Sequence, residues 1–147
     1  MIKKKDGFEI ICGKYNIALA YLFGSQARIG LALLEGQGAV VEDPLTDIDL
    51  GIVFREELPE TKKRVDLFSD LYNELSDLFL PFRLDLVFLQ ENHSVFQCNA
   101  ITGLSIFSFD EQFRNEYEED ILRKAADFRP FLEKYLDEYL EEAIKND

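Results

Sequence analysis

The sequence has no tryptophan, one methionine, one histidine and two cysteines, and it is short of positive charge. Each scarcity excludes something. The two cysteines, Cys12 and Cys98, are too few for a disulfide framework and lack metal-ligand spacing, so each reads as a small buried hydrophobe. Lys and Arg number 16 against 29 Asp and Glu, leaving a formal net charge of −13. So few cations cannot furnish the broad basic face that follows a nucleic-acid backbone, and no extended nucleic-acid binding is expected. An acidic chain can still take a nucleotide through a metal ion, or a basic protein through its surface field. The longest apolar runs, such as "IALAYLF" at 17–23, fall far short of the roughly 18 residues of a membrane span. The N-terminal "MIKKKDGFEII" is basic, but Asp6 and Glu9 break the continuity a signal peptide needs. The cytoplasm is therefore the expected compartment. No internal repeat, low-complexity tract or Pro/Gly/Ser-rich linker divides the chain.

What remains is the composition of one globular domain: 147 residues, 47% hydrophobic and 31% charged. Residues 7–14 suggest a short helix, and 17–23 a strand apolar enough to be covered on both faces. After Gly24, "SQARIGLALLEG" can begin as a helix, while "GQGAVVEDPLT" carries the turn residues Gly36, Gly38 and Pro44. A second strand is expected over 46–54, with Ile48, Leu50 and Ile52 on one face. From 61 to 79 the apolar positions Val65, Phe68, Leu71, Tyr72, Leu75, Leu78 and Phe79 recur at helical steps, and Pro81 ends the run. "FRLDLVFL" at 82–89 reads as a third strand, with Leu84, Leu86 and Phe88 facing one way and Asp85 and Val87 the other. A short helix capped by Asn92 or Ser94 runs to Ala100, and "LSIFSF" at 104–109 is a short edge strand. Residues 111–145 are helical, interrupted or restarted at Pro130. Strands separated by helices point to a sheet with helices packed on it and a helical C-terminal tail.

Three carboxylates stand out. In a strand starting at Thr46, Asp47 and Asp49 project from one face while Ile48 and Leu50 enter the core. Asp85 lies in another strand of similar character. If those strands are neighbours, three carboxylates converge on one patch of sheet, an arrangement that repulsion and desolvation disfavour without a compensating cation. Hard oxygen ligands of this kind suit Mg²⁺, and a pair of such ions lowers the pKa of an attacking hydroxyl and clamps a transferring phosphoryl group. Taken singly, each aspartate also fits a solvated or turn-capping role.

Taken together, "GSQAR", "TDIDLGIVF" and "RLDLVFL" resemble the signature of the polymerase β-type nucleotidyltransferase superfamily, and its minimal nucleotidyltransferases in particular. The C-terminal "ITGLSIFSFDEQFRNEYEEDILRKAADFRPFLEKY" is similar to their usual ending, so the likeness spans most of the chain. The resemblance implies an α+β nucleotidyltransferase fold: a mixed sheet packed with helices, one domain over 1–147, its core at about 7–109 and helices over about 111–145. It implies that Gly24 and Ser25 hold the triphosphate of ATP, with Arg28 neutralising phosphate charge. It implies that Asp47, Asp49 and Asp85 bind Mg²⁺ and that Asp85 helps deprotonate the acceptor hydroxyl. One departure is the long segment between Ser25 and Asp47, where "GLALLEGQGAVVEDPL" is expected to add a loop or hairpin beside the site, either selecting substrate or merely tolerated as an insertion.

Many minimal nucleotidyltransferases are antitoxins of HEPN-family ribonuclease toxins, and the resemblance implies AMP transfer from ATP to a tyrosine of such a partner. Two alternatives stay open: transfer to a small molecule such as an aminoglycoside, and a non-catalytic antitoxin that acts by binding. A stripe of Phe131, Leu132, Tyr135, Leu136, Tyr139 and Leu140 offers either a partner surface or packing against this chain's own sheet or a second copy. His93 is expected to serve as a cap or surface residue, and Lys62, Lys63 and Arg64 as the solvated face of their helix.

Overall fold

The apolar run at the centre of the fold forms β1 (Ile17–Phe23), and all seven of its residues are buried. The computed structural model describes residues 3–37 and 46–145. Strand β1 pairs antiparallel with β2 (Ile48–Phe54) on one side and antiparallel with β4 (Leu104–Ser108) on the other. Strand β2 pairs parallel with β3 (Leu84–Phe88), which gives the order β3-β2-β1-β4. The sheet is mixed, with β3 and β4 at its edges.

Helices α1 (Lys4–Lys14), α2 (Ala27–Leu34) and α3 (Thr61–Ser76) lie on one face, where Phe8, Cys12, Leu33, Leu34, Leu71 and Leu75 join Leu50, Ile52 and Leu86 in one core. Each fully buried Leu or Ile there contributes about 1.5–3 kcal/mol relative to exposure. The opposite face is covered by α4 (Ser94–Ile101) and α5 (Glu111–Lys145), with Ala100, Phe113 and Tyr117 against Leu19, Tyr21 and Val53. Tyr21 ties the layers together: its hydroxyl donates to Glu118 Oε1 at 2.7 Å, which also accepts from Arg114 Nε at 3.1 Å. Burial pushes the Cys12 thiol up to about 12, so it is an inert core residue as its sequence context suggests.

Several details differ from expectation. Strand β2 begins at Ile48, so Asp47 sits in the connection before it and the pleat does not set its direction. On α3, which packs beside the edge strand β3, Val65 and Phe68 remain 60% and 37% exposed, and Phe68 meets Tyr72 and Phe88. Neither Asn92 nor Ser94 caps α4. The N-cap is His93, whose Nδ1 accepts from the Val95 amide at 3.2 Å, while the Asn92 side chain donates to the Phe88 carbonyl. Helix α5 runs unbroken from Glu111 to Lys145. Pro130 thus costs it one backbone hydrogen bond without ending it, since strong helix formers such as Leu, Glu, Lys and Ala flank it on both sides. The side chains of 129–140, and so the aromatic stripe, lie outside those described, as do residues 38–45 of the segment between Ser25 and Asp47.

Candidate active site

The sheet register assembles the site. Phe23, the last residue of β1, stands opposite Asp49 of β2, and Asp49 stands opposite Asp85 of β3. The end of β1 and the beginnings of β2 and β3 therefore form one rim. By strand alternation Asp49 shares its face with Gly51 and Val53, and Asp85 with Val87. This is the face that α4 and α5 cover further along, but at the rim Asp49 is half-buried and Asp85 exposed.

Gly24 turns the chain out of β1 with φ +75°, in the left-handed region that favours glycine. A second constraint acts at the same position: a Cβ built on Gly24 would overlap Asp49 Oδ2. The glycine thus lets the turn lie directly against the carboxylate. Ser25 follows, exposed, its Oγ accepting from the Gln26 side chain at 3.3 Å, and α2 starts two residues later with no side-chain cap and no acidic residue in its first turn. Its first amides and the positive end of its dipole are therefore left facing outward beside Ser25. Gly24, Ser25 and Arg28 line one open cavity of about 280 Å³, with Thr102 and Gly103 opposite them. Gly103 has the same character as Gly24, since a Cβ there would overlap the Leu22 carbonyl oxygen.

Asp49 and Asp85 face each other across the parallel register of β2 and β3. Burial first, then interaction with the Asp85 carboxyl and the charge of Asp47, push the Asp49 carboxyl up to about 6. Asp47 is close enough to contribute charge, yet its side chain is turned elsewhere: Arg83 Nε meets Oδ1 at 3.1 Å and Nη2 meets Oδ2 at 3.3 Å. Among the described residues, no three His, Cys, Asp or Glu side chains stand in a group that could hold a metal ion. The donor chemistry nonetheless fits one. Three hard carboxylates lie at adjacent strand starts, Asp49 and Asp85 directly opposite each other, and a divalent cation would offset both the burial and the neighbouring negative charge that raise Asp49.

The expected residues Gly24, Ser25, Asp49 and Asp85 thus come to one rim, Arg28 reaches its cavity, and Asp47 lies at its side. Arg83 was not anticipated. Its signal was present in "RLDLVFL" as a cation two positions before Asp85, but only the parallel register, with Ile48 opposite Leu84, sets it beside Asp47.

These features place the chain in a known class. The sequence model for the polymerase β nucleotidyltransferases matches residues 8–112, and the chain belongs to that family. Comparison with curated proteins returned no significant match. Among solved structures, a complex of a tri-AMPylated Shewanella oneidensis HEPN toxin with MNT antitoxin is similar in fold, at TM-score 0.62 and 15% identity over 93% of this chain and 96% of the other. A toxin–antitoxin with AMP-PNP gives TM-score 0.56 and 16% identity over 95% and 98%. A MntA–HepT toxin–antitoxin gives 0.55 and 14% over 96% and 97%.

Proposed function

We propose that residues 1–147 form a minimal Mg²⁺-dependent nucleotidyltransferase domain that transfers AMP from ATP to a hydroxyl of a protein partner, as the antitoxin of a HEPN-type ribonuclease. The observation that carries this reading is the in-register pair Asp49 and Asp85, with Asp49 directly against the Gly24 turn. Asp47, Asp49 and Asp85 would hold the ions, which when bound supply positive charge to the phosphates and acidify the acceptor hydroxyl. The chain's own residues do the rest. Gly24 and the first amides of α2 receive the phosphates, the Ser25 hydroxyl donates to a phosphate oxygen, and Arg28 adds charge at the cavity wall. Asp85, exposed at the rim, accepts the proton of the acceptor hydroxyl. The hydroxyl oxygen bonds to the α-phosphorus as the bond from that phosphorus to the bridging oxygen breaks, and pyrophosphate leaves with the electron pair.

Support for the partner comes from the folds this chain is similar to, one solved with an AMPylated HEPN toxin and another with an ATP analogue. The net charge of −13 suits a basic partner. The test is incubation with radiolabelled ATP, Mg²⁺ and the product of the neighbouring gene, a HEPN-type partner being expected there. The partner should become labelled, and Asp47→Ala with Asp49→Ala should slow labelling on the order of 10³-fold or more. If the double variant still neutralises the partner fully, the enzymatic reading is wrong and neutralisation is by binding.

A further inference from the structure

We infer that Arg83 is a built-in competitor for the metal site: its guanidinium occupies both oxygens of Asp47, so a divalent ion must displace it to bind there. The inference rests on the metal-site reading above. The placement of Arg83 is a backbone matter first. The Ile48 amide donates to the Arg83 carbonyl at 2.9 Å, at the start of the parallel ladder in which Ile48 faces Leu84. That bond pins the residue before β2 and the residue before β3 side by side. The fork geometry follows, one nitrogen to each carboxylate oxygen. A metal ion needs one of those same oxygens, and two cations cannot share them without repulsion.

The pair is built to open. The Arg83 side chain is 73% exposed and that of Asp47 30%, so the bond is water-screened and modest in strength. Arg83 also walls an open cavity of about 550 Å³ between the end of α3 and the start of β3, with Tyr72, Leu80 and Phe82. The released head can therefore stand in solvent without a desolvation cost. While it is engaged, the rim carries a full positive charge next to Asp47. Triphosphate oxygens arriving at the rim give the guanidinium another anion to face, so metal and nucleotide should bind cooperatively, each easing the other's entry.

The test is a Mn²⁺ titration by electron paramagnetic resonance, with and without AMP-PNP, on wild type, Arg83→Gln and Arg83→Lys, with melting temperatures as the check on folding. Arg83→Gln should bind Mn²⁺ alone about 3- to 10-fold more tightly than wild type. The gain in Mn²⁺ affinity on adding AMP-PNP should shrink by a similar factor. Arg83→Lys, which keeps the charge and loses the fork, should fall between. Equal or weaker Mn²⁺ binding by Arg83→Gln, while wild type binds Mn²⁺ in a manner that Asp47→Asn abolishes, overturns the competitor role and makes Arg83 a residue that presents Asp47 to the ion. If wild type binds no Mn²⁺ even with AMP-PNP, the metal-site reading fails, and this inference with it.

Discussion

At the scale of single residues, the site is governed by a conflict that Asp49 embodies. Its carboxyl is pressed against the Gly24 turn, half-buried, and set opposite Asp85, which is why it is pushed up to about 6. The sign of the consequence is fixed by linkage. Between its ordinary value of 3.8 and about 6, the folded protein binds more protons at this group than the unfolded chain, so stability falls as pH rises through that window. In EDTA, Asp49→Asn should remove this slope and stabilise the protein at pH 7. The gain should be about 1 kcal/mol once solvent screening of a partly exposed group is allowed for, or a rise of about 2–4 °C in melting temperature. Thermal melts of both proteins from pH 4 to 8 check this, and parallel curves would show that Asp49 is not strained. Gly24 belongs to the same account. Its value as a glycine was readable as a turn and a phosphate approach, but the tighter reason is the Asp49 oxygen above it, which no local pattern reveals.

Elements add direction to these residues. Strand β1 matched its apolar run residue for residue, and β3 its alternation, because uninterrupted or alternating apolarity is a local signal. The pairing of β2 with β3 is not local, and on it depend the meeting of Asp49 with Asp85 and of Asp47 with Arg83. The exposure of Val65 has the same cause: helical periodicity reports a face, but which part of that face is covered depends on where the sheet ends. Propensity was weakest where competing groups were close. Asn92, His93 and Ser94 could each begin α4, and Asn92 is drawn away by the Phe88 carbonyl. The cap assignment separates structure from catalysis for the only histidine. His93→Ala should cost about 0.5–2 kcal/mol through the lost bond to the Val95 amide and leave the rate of nucleotide transfer unchanged. An unchanged melting temperature with a large loss of rate would instead make His93 a catalytic base.

For the molecule as a whole, helices α1, α2 and α3 on one side and α4 and α5 on the other fix a four-stranded sheet whose rim gathers a glycine-serine turn, a helix start and three carboxylates. No helix among the described residues is long and apolar enough to cross a membrane. The family and the α+β fold were readable because their motifs sit on strands that the core itself dictates; the guanidinium that guards Asp47 was not, because it depends on two chain segments meeting. Transfer of the nucleotide by this rim, with release of pyrophosphate, is the proposal on which the rest depends. It is tested most directly by parallel reactions with ATP labelled at the α- or the γ-phosphate, in the presence of Mg²⁺ and the partner protein. Label is expected on the partner from the α-position and none from the γ-position, with one pyrophosphate released per nucleotide joined. Label arriving from the γ-phosphate, or α-label on the partner at the wild-type rate after Asp49→Ala and Asp85→Ala, would contradict it.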